Sequence, residues 1–106
     1  MSEQESADLE RARILGETAQ IPWKELQRWF ASGHAIFVSS SLDLIETAYQ
    51  LSLDNANELR DWMASGRVDR VSDAQAREWL EADEIVWAVV VKPWILVQPV
   101  KPGVKH

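Results

Sequence analysis

The sequence contains no cysteine, and this absence excludes several kinds of site. A 106-residue chain without cysteine forms no disulfide, binds no metal through thiolates and has no cysteine nucleophile. It also lacks a phosphate-binding loop, a dinucleotide-binding fingerprint, a zinc-binding helix and a nucleophile elbow. Two histidines, His34 and His106, are too few ligands to predict a metal site. We therefore predict no metal and no cofactor, assign no catalytic residue, and regard an enzyme as the less favoured class.

Long apolar segments are missing as well. The longest unbroken apolar run is Ile85–Val91, far shorter than the roughly 20 residues of a membrane-spanning helix. The first residues, Met1–Glu5, are polar and acidic, the reverse of a secretory signal. These features predict a soluble, cytoplasmic protein that does not associate with membranes.

Basic residues are fewer than acidic residues in this sequence. The formal net charge of −6 would repel a phosphate backbone and disfavours nucleic-acid binding. A local patch could overcome this repulsion, so nucleic-acid binding remains a weaker alternative. Its candidate residues are the arginines Arg60, Arg67, Arg70 and Arg77.

The stretch Ile85–Val91 is the feature around which we expect the fold to be organised. Its valines and isoleucine favour a β-strand, and alternation places apolar side chains on both faces. A strand of this kind is typical of a sheet covered on two sides. Lys92-Pro93 then interrupts the run, and we predict that Ile95–Gln98 returns as the second strand of a hairpin.

Two helices are predicted before this region. The first runs from Ser6 to about Gln20, because the residue before Pro22 is pushed out of the helical conformation. The residues expected to face inward recur at helical spacing: Leu9, Ala12, Leu15 and Ala19. The second helix opens at Pro22 and stops at Gly33, with an apolar stripe of Trp23, Leu26, Trp29 and Phe30.

The middle of the chain carries further local signals. Ala35–Val38 is a strand candidate. Residues 42–53 fit either a helix or a strand, with helix favoured by their length and by a capping pattern at Ser40 and Asp43. The next predicted element is a helix capped by Asp54, with inward residues Ala56, Leu59, Trp62 and Met63. An edge strand is predicted at Arg67–Val71. The helix that follows begins with a Ser72/Gln75 capping box and is expected to bury Ala76, Trp79 and Leu80.

These elements define an α+β fold, with four to five helices packed on a small sheet that contains a C-terminal β-hairpin. We expect one domain over residues 6–98, a frayed segment at residues 1–5, and a mobile tail at residues 99–106.

Several strings together resemble a known family: Leu15-Gly16-Glu17-Thr18-Ala19, Ile21–Leu26, Leu42-Asp43-Leu44, Trp87–Val91 and Pro93–Gln98. The family is a small one of uncharacterised bacterial proteins, known as a domain of unknown function. The resemblance runs from about Ile14 to Gln98, and its closing Pro-Trp-aliphatic-Leu-Val-Gln string is the most specific part. It implies a stand-alone bacterial protein and brings no activity, cofactor or catalytic residue.

Six residues form a candidate binding surface: Glu17, Thr18, Asp43, Glu46, Trp94 and Gln98. Asp43 and Glu46 could be paired carboxylates, although Asp43 also suits a helix start and Glu17 could instead pair with Arg13. Trp94 follows a proline at a turn and could be an exposed anchor for an unidentified protein partner. Gln98 must find hydrogen-bond partners if it is buried, in a network with Glu17 or Thr18, or face solvent.

The favoured hypothesis is a non-enzymatic protein-interaction or regulatory module that acts as a homodimer. Its basis is the strand with two apolar faces in so short a chain, since both faces need helices or a second subunit to cover them. The alternative is a small-ligand-binding protein or an undiscovered enzyme with a site near Glu17, Asp43 and Trp94.

Overall fold

The structure, a computed structural model, describes residues 3–53 and 56–100. Its helices are α1 (Glu3–Glu17), α2 (Gln27–Ala31), α3 (Leu44–Ser52), α4 (Ala56–Ala64) and α5 (Asp73–Glu81), with a 3-10 helix at Trp23–Leu26. Its strands are β1 (Ala19–Pro22), β2 (Ala35–Val38), β3 (Val68–Arg70), β4 (Ile85–Val91) and β5 (Trp94–Pro99). The predicted α+β class is confirmed.

The five strands form one mixed sheet in the order β1-β4-β5-β2-β3. β2 and β5 run parallel, and the other neighbouring pairs run antiparallel. β4 and β5 make the predicted hairpin, closed by the pairing of Val91 with Trp94 across a turn that contains the cis peptide Lys92-Pro93. The stretch 42–53, which the sequence left open between helix and strand, contains helix α3, as favoured. Its N-cap is Asp43, three residues later than the capping pattern beginning at Ser40 predicted.

One face of the sheet, the Trp23 face, is closed by the 3-10 helix, α2 and α5. Trp23 is 0% exposed and contacts the edge of the Trp79 ring at 5.1 Å between ring centroids. Its indole Nε1 donates to the Ala76 carbonyl at 3.1 Å, so the buried N–H has a partner. Beneath these rings lie the buried strand side chains Val86, Ala88, Ile95 and Val97.

The opposite face, the Ile14 face, is covered by α1 and α3. Ile14 is 2% exposed and packs with Val89 and Leu96 of the hairpin. Leu44 and Ala48 of α3 complete this second cluster, together with Val38 of β2. α1 and α3 are joined further by Arg11, whose guanidinium binds the carboxylate of Glu46 at 2.8 Å.

Coverage of β4 is less complete than predicted. Helices pack on both faces, and Val86, Ala88 and Val89 are buried. Ile85 and Trp87, however, are 45% and 37% exposed, and Val90 is exposed too. On the Ile14 face, Val89 is the buried residue of β4. Ile85 and Trp87, which lie nearer the start of the strand on the same face, remain exposed to solvent.

Helix α1 differs from its prediction in extent. It begins at Glu3, inside the segment expected to be frayed, and ends at Glu17 rather than near Gln20. The Thr18 hydroxyl donates to the Ile14 carbonyl at 2.7 Å and closes the last turn. The chain then enters β1, a strand that the sequence did not predict, which pairs with the start of β4.

The inward face predicted for α1 is wrong. Leu9, Ala12 and Leu15 are all exposed, and Leu15 keeps 62% of its surface. Ile14 lies two residues after Ala12, about 200° around the helix, and it is the buried residue. The helix therefore packs with the side opposite to its apolar stripe.

Other boundaries also shift. Pro22 ends β1, and the predicted second helix is divided into the 3-10 helix and α2, which stops before Gly33 at its positive φ of 80°. The Ser72/Gln75 capping box of α5 is confirmed, but Leu80 is exposed rather than buried.

In α4, Leu59 and Trp62 are half-buried and Met63 is exposed. The predicted cap Asp54, the side chain of Ala56, and residues 101–106 of the predicted tail lie outside the described residues.

Candidate functional site

The structure brings three of the six candidate residues together. Thr18, Asp43 and Gln98 line one cleft of about 330 Å³ at the open end of the Ile14 face. The other lining residues are Leu15, Leu42, Leu44, Ile45 and Trp87. Glu17, Glu46 and Trp94 do not line this cleft.

Two of the polar groups in this cleft are used by helix ends. The Asp43 carboxylate accepts from the Glu46 N–H at 3.0 Å, which makes Asp43 the N-cap of α3. The Thr18 hydroxyl donates to a carbonyl in the last turn of α1. Both side chains therefore have a structural role that accounts for their position.

Gln98 joins the hairpin to the loop before α3. Its amide Nε2 donates to the Ser39 carbonyl at 2.9 Å and to the Leu42 carbonyl at 2.8 Å. From the sequence, Gln98 was expected either to join a network with Glu17 or Thr18 or to face solvent. In the structure, its amide donates to backbone carbonyls instead. These two bonds fix the wall of the cleft against β5.

Trp87 is the aromatic residue that lines the cleft, and the sequence analysis does not include it among the candidates. It pairs in register with Gln20 of β1 and Gln98 of β5, so its strand neighbours are uncharged. The available signal was its shared face with Ile85, since alternate residues of a strand point the same way. That signal was read as burial because the whole run Ile85–Val91 is apolar.

Glu46 belongs to a clamp between helices rather than to a carboxylate pair. Arg11 binds it through two nitrogens, and Gln50 donates to it at 2.9 Å. The Arg11 guanidinium also lies 4.4 Å from the centre of the Tyr49 ring. The hydrogen bonds from Arg11 and Gln50 lower the pKa of Glu46, so the carboxylate stays ionised and is poorly suited to general acid catalysis at neutral pH.

Glu17 pairs with Arg13 at 3.1 Å, as its spacing of four residues predicts. Arg13 also binds Glu10 on the same helix. The Glu17 carboxylate is therefore part of a surface ion-pair group along α1.

Trp94 lies in a different place, against His34, with ring centroids 5.4 Å apart. It is half-buried and lines a second cavity of about 340 Å³. His34 Nδ1 is 3.0 Å from the Ser32 hydroxyl oxygen.

The described residues offer neither a metal site nor a membrane-spanning helix. Within residues 3–53 and 56–100, no group of three or more His, Cys, Asp or Glu residues is placed to hold a metal ion. In the same part of the chain, no helix has the length and apolar character needed to cross a bilayer. The four arginines considered for nucleic-acid binding are exposed. Arg60 lies on α4, Arg67 lies just before β3, Arg70 lies on β3 and Arg77 lies on α5.

Comparisons with known proteins place the fold in a family. Residues 10–99 match the family described as "Protein of unknown function (DUF2288)". The NMR solution structure of PA1075 from Pseudomonas aeruginosa is similar, with 36% sequence identity and a TM-score of 0.78. The alignment covers 100% of this chain and 96% of that one. No match was found among curated proteins. The chain therefore belongs to the DUF2288 family of proteins of unknown function.

Proposed function

We propose that this protein is a non-enzymatic interaction module that acts as a homodimer. The interface would be a single apolar surface made of Leu9, Ala12, Leu15, Ile85 and Trp87, which we call the α1–Trp87 surface. The observation that carries the proposal is the exposure of all five side chains.

The surface is continuous because Leu15 and Trp87 line the same cleft. Leu9, Ala12 and Leu15 follow one another at three-residue intervals along α1, so they form a stripe. Ile85 lies on the same strand face as Trp87, two residues earlier. A contiguous apolar patch of this kind on a small protein is typical of a protein-binding site.

The charge distribution favours a second copy of the same chain as the partner. Gln20 and Gln98, the strand neighbours of Trp87, are neutral. Arg13, next to the stripe, is paired with Glu10 and Glu17 on its own helix. The carboxylates that border the patch have partners, since Asp8 lies 3.7 Å from Arg11 and Asp43 accepts from the Glu46 N–H. A patch with an uncharged, apolar centre can pack against its own copy, because charged residues are depleted at the centres of such interfaces. Because the chain carries a net charge of −6, an acidic patch would instead repel its copy.

A ligand site or enzyme centred on Glu17, Asp43 and Trp94 has less support. The three side chains do not share a cavity. Asp43 caps a helix and Glu17 pairs with Arg13, so neither carboxylate is arranged toward a common substrate position.

The test is the oligomeric state, measured by sedimentation equilibrium at micromolar concentration. We expect wild type to be a dimer and both Leu15→Glu and Trp87→Gln to be monomers. Leu15 is mostly exposed, so its replacement changes the surface without removing a core side chain.

Leu80→Glu is the matched control for Leu15→Glu. Leu80 is also an exposed leucine on a helix, but α5 packs on the Trp23 face. This variant should remain dimeric, with circular dichroism showing that all variants are folded. A monomeric wild type, or a dimer that survives both substitutions in the α1–Trp87 surface, would contradict the proposal.

A further inference from the structure

We propose that the second cavity, the one lined by Trp94, binds a small apolar molecule that carries a single carboxylate. We call it the Trp94 cavity. The inference concerns residues outside the α1–Trp87 surface and does not depend on dimer formation.

The cavity lies between the sheet and two helices. Its floor is Ile36 of β2, Val68 of β3, and Trp94 and Leu96 of β5. Its roof is formed by Leu51 of α3 with Leu59 and Met63 of α4. Seven of the ten lining residues are apolar or aromatic, as in pockets that bind small organic molecules.

The polar lining groups determine the chemistry of the ligand. The Thr47 hydroxyl donates to the Asp43 carbonyl at 2.8 Å, so its proton is already used. The Asp69 carboxylate accepts from the Arg70 backbone N–H at 2.8 Å. Asp69 pairs in register with Phe37, whereas Arg70 pairs with Ile36, so the Asp69 side chain points to the opposite face of the sheet.

Arg70 supplies the remaining charge. Its guanidinium has no ion pair or hydrogen bond with any residue in 3–53 or 56–100. Arg70 is exposed, whereas the floor residues Val68 and Leu96 are buried, so the cation lies at the open side of an apolar cavity. A guanidinium binds a carboxylate through two parallel hydrogen bonds, which gives both geometry and affinity.

The size of the cavity limits the apolar part. Its volume of about 340 Å³ is near the lower end of the range for ligand pockets, roughly 300–1,000 Å³. Met63 on the roof is a flexible side chain that adapts to ligands of different shape. A medium-chain fatty acid has the required combination of a compact apolar body and one carboxylate.

The experiment uses the full chain with octanoate as the probe, followed by two-dimensional ¹⁵N NMR. We expect saturable binding with a dissociation constant of about 1 mM or tighter, a modest value for a ligand of this size. The shifted resonances should map to Ile36, Leu51, Met63 and the Trp94 indole.

Charge recognition is tested with matched ligands and variants. Arg70→Gln and replacement of octanoate by 1-octanol should each weaken binding by about tenfold or more, because each removes the charged pair. Arg77→Gln, at an exposed arginine on α5, should leave the affinity unchanged. Absence of saturable binding, equal affinity for octanol, or shifts centred on Leu15 and Trp87 would each overturn the proposal.

Discussion

The two faces of the sheet are built differently. The Trp23 face is closed by aromatic rings, with Trp23 in edge contact with both Trp79 and Phe30. The Ile14 face is held by smaller aliphatic side chains and by the Arg11–Glu46 clamp between α1 and α3. Both the cleft beside Trp87 and the Trp94 cavity lie on the Ile14 face. From this comparison we expect the Trp23 face to contribute more to stability, and both proposed binding surfaces belong to the Ile14 face.

The first prediction tests this division and has the largest expected effect. Trp23→Ala removes a fully buried indole together with its hydrogen bond to the Ala76 carbonyl. We expect the free energy of unfolding to fall by about 3–5 kcal/mol, the usual cost of truncating a buried aromatic residue. Urea denaturation followed by circular dichroism measures the change.

Trp87→Ala is the matched comparison on the Ile14 face. Because this side chain is 37% exposed within one subunit, its loss should cost clearly less than the loss of Trp23 when both are measured in the monomeric Leu15→Glu background. Equal costs at the two tryptophans would mean that the faces do not differ in their contribution to stability.

The second prediction concerns the bond between the hairpin and the loop before α3. Gln98→Met keeps the length of the side chain but removes both donors to the Ser39 and Leu42 carbonyls. We expect a loss of about 1–3 kcal/mol, since the Leu42 carbonyl loses the amide donor and the Ser39 carbonyl keeps only the Leu42 N–H. Urea denaturation checks the value, and a loss no larger than that of Leu80→Met would show that the two bonds are not needed.

Elements with local signals were predicted well from the sequence. The Ser72/Gln75 capping box marked the start of α5, and Lys92-Pro93 marked the turn of the hairpin. Each of these signals lies within four residues of the structure that it specifies. β1 has no such signal, because its four residues become a strand only by pairing with β4, more than 60 residues later.

The face of α1 was mispredicted for a related reason. The helix has a more apolar side, with Leu9 and Leu15, and a side with Arg11 and Ile14 that the structure packs inward. On that side Ile14 enters the core and Arg11 finds a partner in Glu46, 35 residues away. Periodicity in one sequence cannot show that partner, so it selects the stripe that the structure leaves open.

The candidate site shows the same limit. The sequence gives separate reasons for Thr18, Asp43 and Gln98 as candidates, and the structure does bring the three together in one cleft. The sequence favours Trp94 over Trp87 as an exposed anchor, because Trp94 follows a proline at a turn. Alternation shows which strand residues share a face, but it does not show which end of that face a helix covers.

The last prediction has the smallest expected effect and concerns the clamp on the Ile14 face. The hydrogen bonds from Arg11 and Gln50 lower the pKa of Glu46 in the folded protein. A lowered folded pKa means that ionised Glu46 stabilises the fold above its unfolded pKa, about 4.3, and that this contribution is lost as the pH falls through the folded value.

Glu46→Gln should therefore lower stability slightly at neutral pH and flatten the acid limb of the stability curve below about pH 4.3. The pair is partly exposed, so the effect should be modest and should shrink further at high salt. Glu10→Gln is the control, because the hydrogen bond from Arg13 also lowers the pKa of Glu10, but within a single helix. Thermal unfolding between pH 3 and pH 7 compares the two variants. If both variants flatten the curve equally, the clamp between α1 and α3 contributes no more to stability than an ion pair along one helix.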